Sequence, residues 1–197
     1  MLKIGITGGI GSGKSTVSRI FEVLGIPVFY ADDATKNIMN ESPVIRQKLT
    51  EYFGEEAYAG DVLNRKFIAS QVFNDKEKLA FLNSVTHPEA IRYASEWMQK
   101  QTTPYAIKEA ALFFESGSQE GIDIMIGVYT PKPMRIHRIM QRDNVTREEV
   151  LKRMQNQINE EIKMRLCDYV IINDEQHPVI KQVLGLHEKF LTAAGRL

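Results

Sequence analysis

Gly8-Gly9-Ile10-Gly11-Ser12-Gly13-Lys14-Ser15 satisfies the spacing G-x-x-x-x-G-K-[ST] in full. A loop wrapped around phosphates must turn successive N–H groups inward, and glycine permits the backbone angles and close approach this requires. A helix beginning near Ser15 adds the positive end of its dipole. Lys14 can reach the β- and γ-phosphates, and the Ser15 hydroxyl can ligate Mg²⁺. The bland alternative is a structural glycine turn. The placement after an apolar run and before an amphipathic one favours a nucleotide phosphate clamp.

A second set of residues could act on whatever receives a phosphate. Asp32 closes the run Val28-Phe29-Tyr30-Ala31, and parallel strands present their ends to a ligand crevice. A carboxylate there could accept or orient the proton of an acceptor hydroxyl. Asp33 should point elsewhere if the strand continues, and reads as a helix N-cap for the segment from Ala34. His87-Pro88 stands where a loop should enter a helix, so His87 reads as a cap or packed turn residue. Glu109 and Glu115 flank the apolar run Ala110–Phe114. Each is open to three readings: holding Mg²⁺ through water, facing an acceptor, or pairing with a nearby arginine.

These residues need elements to hold them. Leu2–Thr7, Val28–Ala31, Tyr105–Phe114, Ile124–Tyr129 and Tyr169–Ile172 read as buried strands, rich in Ile, Val, Phe and Tyr. Ser15–Leu24 places Val17, Ile20, Phe21 and Leu24 on one helical face. Glu89–Gln101 reads as a helix with Pro88 at its first turn. Thr146-Arg147-Glu148-Glu149 has the form of a capping box, and Val150, Met154, Ile158 and Ile162 recur every four residues after it. Strand–helix alternation with long crossovers predicts an α/β fold, a parallel sheet covered on both faces. Residues 35–100 and 131–165 stand outside the alternation. The first reads as a substrate-binding insertion and the second, which is arginine-rich, as a lid; the alternative for each is helices packed for stability.

The chain as a whole narrows the classes. Its 197 residues suit one compact unit, and 43% hydrophobic residues can fill a core. Lys+Arg and Asp+Glu both number 25, so no global field points to nucleic acid or an anionic membrane. One cysteine, Cys167, excludes an internal disulfide and fits a reducing compartment. No apolar stretch approaches the ~20 residues that span a bilayer, and the expectation is a cytoplasmic protein without an obligate protein partner. A guanine-nucleotide switch needs an N/T-K-x-D element and a D-x-x-G segment, and the chain has neither. A motor or transporter ATPase usually ends its second nucleotide-side strand in a carboxylate, whereas Ile124–Tyr129 runs into Thr130 and Pro131. Small size, an early phosphate clamp, a helical insertion and an arginine-rich segment point to a small-molecule kinase, with a nucleotide-gated binding module as the alternative.

At this point the wording of the motifs resembles a family. Ile6 through Ser15, Ala31-Asp32, Leu63-Asn64-Arg65, Leu82-Asn83 with His87-Pro88, and Leu112-Phe113-Phe114-Glu115 occur in order. Arg138 through Asp143, Val145-Thr146-Arg147-Glu148, Arg153 through Gln157, and Asp168-Tyr169-Val170-Ile171 with Asn173 follow. Together they resemble the dephospho-CoA kinases over essentially the whole chain. The resemblance implies transfer of the ATP γ-phosphoryl to the ribose 3′-hydroxyl of dephospho-CoA with Mg²⁺, giving coenzyme A and ADP. It implies an adenylate-kinase-like, P-loop parallel-sheet core (1–34, 102–130, 166–197), a helical CoA-binding insertion (35–101) and a helical lid (131–165). ATP would be held by Gly9, Ile10, Gly11, Ser12, Gly13, Lys14, Ser15 and Thr16 with Arg138, Arg142 and Asn173. Ser15 would meet the metal. Asp32 would be the base, aided by Lys14 and Arg142, and Asp32, Arg65, His87 and Glu115 would face the acceptor. Three stretches depart from the family pattern: Tyr30-Ala31-Asp32 where Asp-Ala-Asp is common, Ala111-Leu112-Phe113-Phe114-Glu115 for Pro-Leu-Leu-x-Glu, and Asn173-Asp174-Glu175 for an Asn-Asn-Gly or Asn-Ser-Gly turn.

Overall fold

A computed structural model describes residues 1–195. The described chain divides into two compact units, one made of Met1–Tyr30 with the segment from Met98 onward, the other of Ala31–Trp97.

The first unit is built on a parallel sheet of five strands: β1 (Leu2–Thr7), β2 (Val28–Tyr30), β5 (Tyr105–Glu109), β6 (Ile124–Tyr129) and β7 (Tyr169–Ile172), in the order β2-β5-β1-β6-β7. β5 is buried along its whole length and β1 almost so, as expected of strands covered on both faces. The five predicted strand positions are occupied, with two boundaries moved: Val28–Ala31 ends at Tyr30, and the third run is shortened more. Tyr105–Phe114 reads as one apolar run, yet the strand ends at Glu109 and residues 111–121 form turns. Phe113 is fully buried there, so apolarity reported burial rather than extended backbone.

Helices α1 (Lys14–Val23) and α9 (Val179–Ala194) supply Val17, Phe21, Val183 and Phe190 to the core beneath Ile4, Ile6, Ile107, Ile126 and Ile171. Tyr105 lies edge-on to Phe21 and Phe190, and its hydroxyl meets His187 Nδ1 at 2.6 Å. Helices α6 (Lys132–Asp143), α7 (Arg147–Met154) and α8 (Glu160–Arg165) fill residues 131–165. The capping box is present, with Glu149 N–H donating to Thr146 Oγ1 and Thr146 N–H to Glu149 Oε2. The four-residue repeat does not continue as one helix, because α7 ends at Met154 and Ile162 is exposed on α8. Cys167 is half-buried, and burial, with Asp168 adding to it, pushes its thiol up to about 12, which fits a small apolar filler rather than a nucleophile.

The second unit is helical: α2 (Ala31–Glu41), α3 (Pro43–Phe53), α4 (Arg65–Val72) and α5 (Lys76–Gln99), with a short hairpin of β3 (Tyr58–Ala59) and β4 (Val62–Leu63). Ile38, Ile45, Leu49, Leu63, Ile68 and Val85 form its core. Ser42 and Asn64 cap α3 and α4. The expectation of a helix starting at Pro88 is corrected: α5 begins at Lys76 and carries Pro88 inside it. A proline removes one backbone donor, and packing of the surrounding helix can outweigh that loss. His87 is therefore an exposed mid-helix residue, not a turn residue.

Candidate active site

The site grows from the sheet register. Ile6 of β1 pairs with Glu109 of β5, so the last residue of β5 stands beside the point where the chain leaves β1 for the glycines. The loop then turns through Gly11 and Gly13, at φ 81° and 92°, a left-handed region that disfavours any residue with a Cβ. Gly13 is the N-cap of α1, with no side-chain cap and no acidic residue in the first turn. The positive end of that helix is thus open to an anion.

Lys14 and Ser15 meet Glu109. The Lys14 ammonium donates to Gly8 O at 3.1 Å and lies 3.9 Å from Glu109 Oε1, while Ser15 Oγ lies 3.5 Å from Glu109 Oε2. Both partners of the ion pair have side chains only 10% exposed. Of the two candidate glutamates, Glu109 is the one at the loop. Glu115 is engaged elsewhere: it pairs with the fully buried Lys163 at 2.9 Å and accepts Ile158 N–H at 3.0 Å. Burial would raise its carboxyl, but the Lys163 ammonium and Ile158 amide outweigh this and hold it below the usual carboxylate range.

The opposite side of the loop is tied to the end of β7. Asn173 Nδ2 donates to Ser12 O at 2.8 Å, and Thr130 Oγ1 lies within bonding distance of Ser12 O and Asn173 O. A Cβ on Gly13 would overlap the Asn173 amide. Arg138 of α6 reaches the same place, with Nη2 3.1 Å from Glu175 Oε1 and 3.5 Å from Asn173 O. Arg142, one turn on, forms a two-pronged pair with Asp143, which Arg153 also joins at 2.6 Å. The two arginines are therefore parked differently, Arg138 beside the loop and Arg142 on its neighbour. Thr16, on the first turn of α1, is exposed.

The loop is also gripped at its beginning, by Gln157 from the run Arg153 through Gln157 and by Glu160, and nothing in the sequence ties either to the loop. Gly9 N–H donates to Glu160 Oε1 at 3.2 Å and Ile10 N–H to Gln157 Oε1 at 2.8 Å. Arg135, buried at 6% exposure, pairs with Glu160 at 3.2 Å. A Cβ on Gly9 would overlap the Arg135 guanidinium and the Glu160 carboxylate. Ile10 packs against Ile136, Ile139 and Val150.

The remaining candidates lie in the helical unit. The expectation of Asp32 at a strand end is corrected: α2 starts at Ala31, so Asp32 and Asp33 occupy its first turn, where their charge suits the helix dipole. Asp32 is exposed, and Asp33 pairs with Lys36 at 2.6 Å. Arg65, first residue of α4, donates to Lys36 O at 3.0 Å. Tyr30, where the family often has an aspartate, donates its hydroxyl to Glu22 at 2.9 Å. Burial and that carboxylate push its phenol well up, so the position holds a neutral donor.

Comparison with known proteins identifies the family. The family model described as dephospho-CoA kinase matches residues 2–178. A dephospho-CoA kinase of Bacteroides fragilis is 37% identical over 186 residues, covering 94% of this chain and 91% of its own. Among solved structures, the Thermus thermophilus protein TT1252 superposes with a TM-score of 0.85 at 32% identity, covering 95% of this chain and 96% of its own. A dephospho-CoA kinase from Campylobacter jejuni gives 0.73 at 30% identity, with 97% and 98% covered. The chain belongs to the dephospho-CoA kinase family.

Proposed function

We propose that this chain transfers the γ-phosphoryl group of ATP to the ribose 3′-hydroxyl of dephospho-CoA, with Mg²⁺ bound at Ser15 and Glu109. The observation that carries the reading is the joining of Lys14, Ser15 and Glu109 at an uncapped helix N-terminus. A member of this family is an ATP-dependent kinase, and what the geometry adds is a division of labour.

Lys14 offsets charge on the transferring group, and the α1 N-terminus holds the phosphates behind it. The Ser15 hydroxyl and Glu109 carboxylate are hard oxygen donors on one spot, which fits Mg²⁺. Among the described residues no group of three or more His, Cys, Asp or Glu could cage a metal, as suits an ion held largely by phosphate oxygens and water. Held by Ser15 and Glu109, such an ion would supply positive charge against that developing on the phosphates. Asp32, exposed in the first turn of α2, orients the acceptor hydroxyl and takes its proton. Arg65 and His87 serve the acceptor. Arg138 and Arg142 meet the phosphates, Arg142 after leaving Asp143. In this reading residues 131–165 act as a lid and 35–101 bind the CoA portion. Glu115 braces Lys163 rather than touching the acceptor.

Among the described residues no helix is long and apolar enough to cross a membrane, and a reaction fed by ATP is assigned to the cytoplasm. The test is ADP release with dephospho-CoA, adenosine or AMP as acceptor. Turnover should appear with dephospho-CoA and be much weaker with the others. ATP hydrolysis indifferent to all three would point instead to a nucleotide-gated module, and preference for AMP or adenosine to another small-molecule kinase.

A further inference from the structure

The grip on Gly9 and Ile10 is left unused by the proposed reaction. Both residues belong to the phosphate loop, yet their N–H groups are taken by Gln157, in the short connection between α7 and α8, and by Glu160, the first residue of α8. That connection is itself rigidly made. Asn159 Oδ1 accepts from Glu161 and Ile162 N–H at 2.8 and 3.2 Å, capping α8 and fixing the turn between Gln157 and Glu160. Lys163, fully buried, then ties α8 to Ala111 O and Glu115 at 2.9 Å each. Ala111 and Glu115 lie in the turn segment that follows Glu109. One brace thus touches the start of the loop and the segment leading from the loop's carboxylate.

We infer that Gln157 and Glu160 are positioning residues, which hold the first half of the phosphate loop in its binding shape before nucleotide arrives. Amides committed to side chains contribute no donors to phosphate, so their value is geometric. Glycine-rich chain loses much conformational freedom on ordering, and ordering it in advance removes that cost from the binding step. Glu160 also neutralises Arg135, and its removal would leave a buried charge behind. Gln157 carries no charge, which makes it the cleaner probe. The inference rests on the reading of this loop as the ATP site.

The experiment compares wild type with Gln157→Met, close in shape but without the acceptor, and with Gln157→Glu, which keeps an oxygen in place. Amide hydrogen exchange at Ile10 is measured without nucleotide, and ATP affinity and turnover with it. Wild-type binding of ATP is established first, and its absence would defeat the ATP reading rather than the positioning one. In Gln157→Met, Ile10 should exchange at least tenfold faster and the ATP dissociation constant should rise roughly fivefold to tenfold, the scale of one lost hydrogen bond. Turnover at saturating ATP should fall less. Gln157→Glu should restore protection of Ile10. Faster exchange at Ile10 with ATP affinity within twofold of wild type would show a merely structural contact and overturn the inference. Tighter ATP binding in Gln157→Met would overturn it too, by showing that the contact competes with phosphate. Unchanged exchange at Ile10 in Gln157→Met would mean that Gln157 does not hold the loop.

Discussion

The Ser15 hydroxyl lies 3.5 Å from one carboxylate oxygen of Glu109, and the Lys14 ammonium lies 3.9 Å from the other. If that carboxylate supports the metal, Glu109→Gln should weaken Mg²⁺ activation by roughly 10–100-fold, the usual effect of losing a metal-supporting group. Titration of turnover against Mg²⁺ at fixed ATP checks this. An unchanged midpoint would leave Glu109 as a simple partner of Lys14.

Asp32→Asn separates chemistry from binding. Loss of a general base costs ~10²–10⁴ in rate, or roughly 3–5 kcal/mol of transition-state stabilisation at ~1.4 kcal/mol per tenfold. Acceptor affinity should move far less, since the amide can still hydrogen-bond a hydroxyl. Single-turnover rates and acceptor binding, measured together, give the answer. A rate within a few-fold of wild type would mean that Asp32 serves only the helix end.

Glu115 and Lys163 predict a dependence on pH. The Glu115 carboxyl is held below its ordinary value of 4.5, so its contribution is complete above that value and is lost as pH falls through the lower folded-state one. Glu115→Gln leaves the buried Lys163 without its counter-charge and should cost about 3 kcal/mol near neutrality. The gap between variant and wild type should narrow as pH drops from about 5 towards 3. Urea unfolding at pH 7 and pH 3.5 measures both. A gap that widened in acid would contradict the assignment.

Glu175 occupies a left-handed conformation, φ 67°, at the position where related turns carry glycine. The Glu175 side chain is 72% exposed in its ion pair with Arg138, and such exposed pairs contribute little. Glu175→Gly should therefore stabilise the protein by about 0.5–1 kcal/mol, raising Tm by roughly 1–4 °C for a chain of this size. A lower Tm would show that the Arg138 pair outweighs the backbone relief.

The parts of this protein that were legible in its sequence are those fixed by local rules. The Gly8–Ser15 spacing gave the loop, and the β-branched runs gave the strands, because both signals lie within a few adjacent residues. Pro88 and the Ala31–Asp32 step mark the limit of such rules: by local punctuation each is an element boundary, whereas Pro88 lies inside α5 and Asp32 in the first turn of α2. Nothing local separates Glu109 from Glu115, since choosing between them requires the β1–β5 register that sets Glu109 beside Ile6. Gln157 and Glu160 stood in a recognised run and an unremarkable one, and nothing near them announces that they bond residues 147 and 151 positions away.

The crowding at Gly9 has a consequence for heredity. A methyl group there would meet the ends of the Arg135 and Glu160 side chains, so it could enter only if that ion pair shifted or gave way. A selection for suppressors of Gly9→Ala should therefore return second-site changes at Arg135 or Glu160 rather than elsewhere in the loop. The glycine of a phosphate loop is usually thought to answer to its nucleotide; here it answers first to two side chains of its own chain.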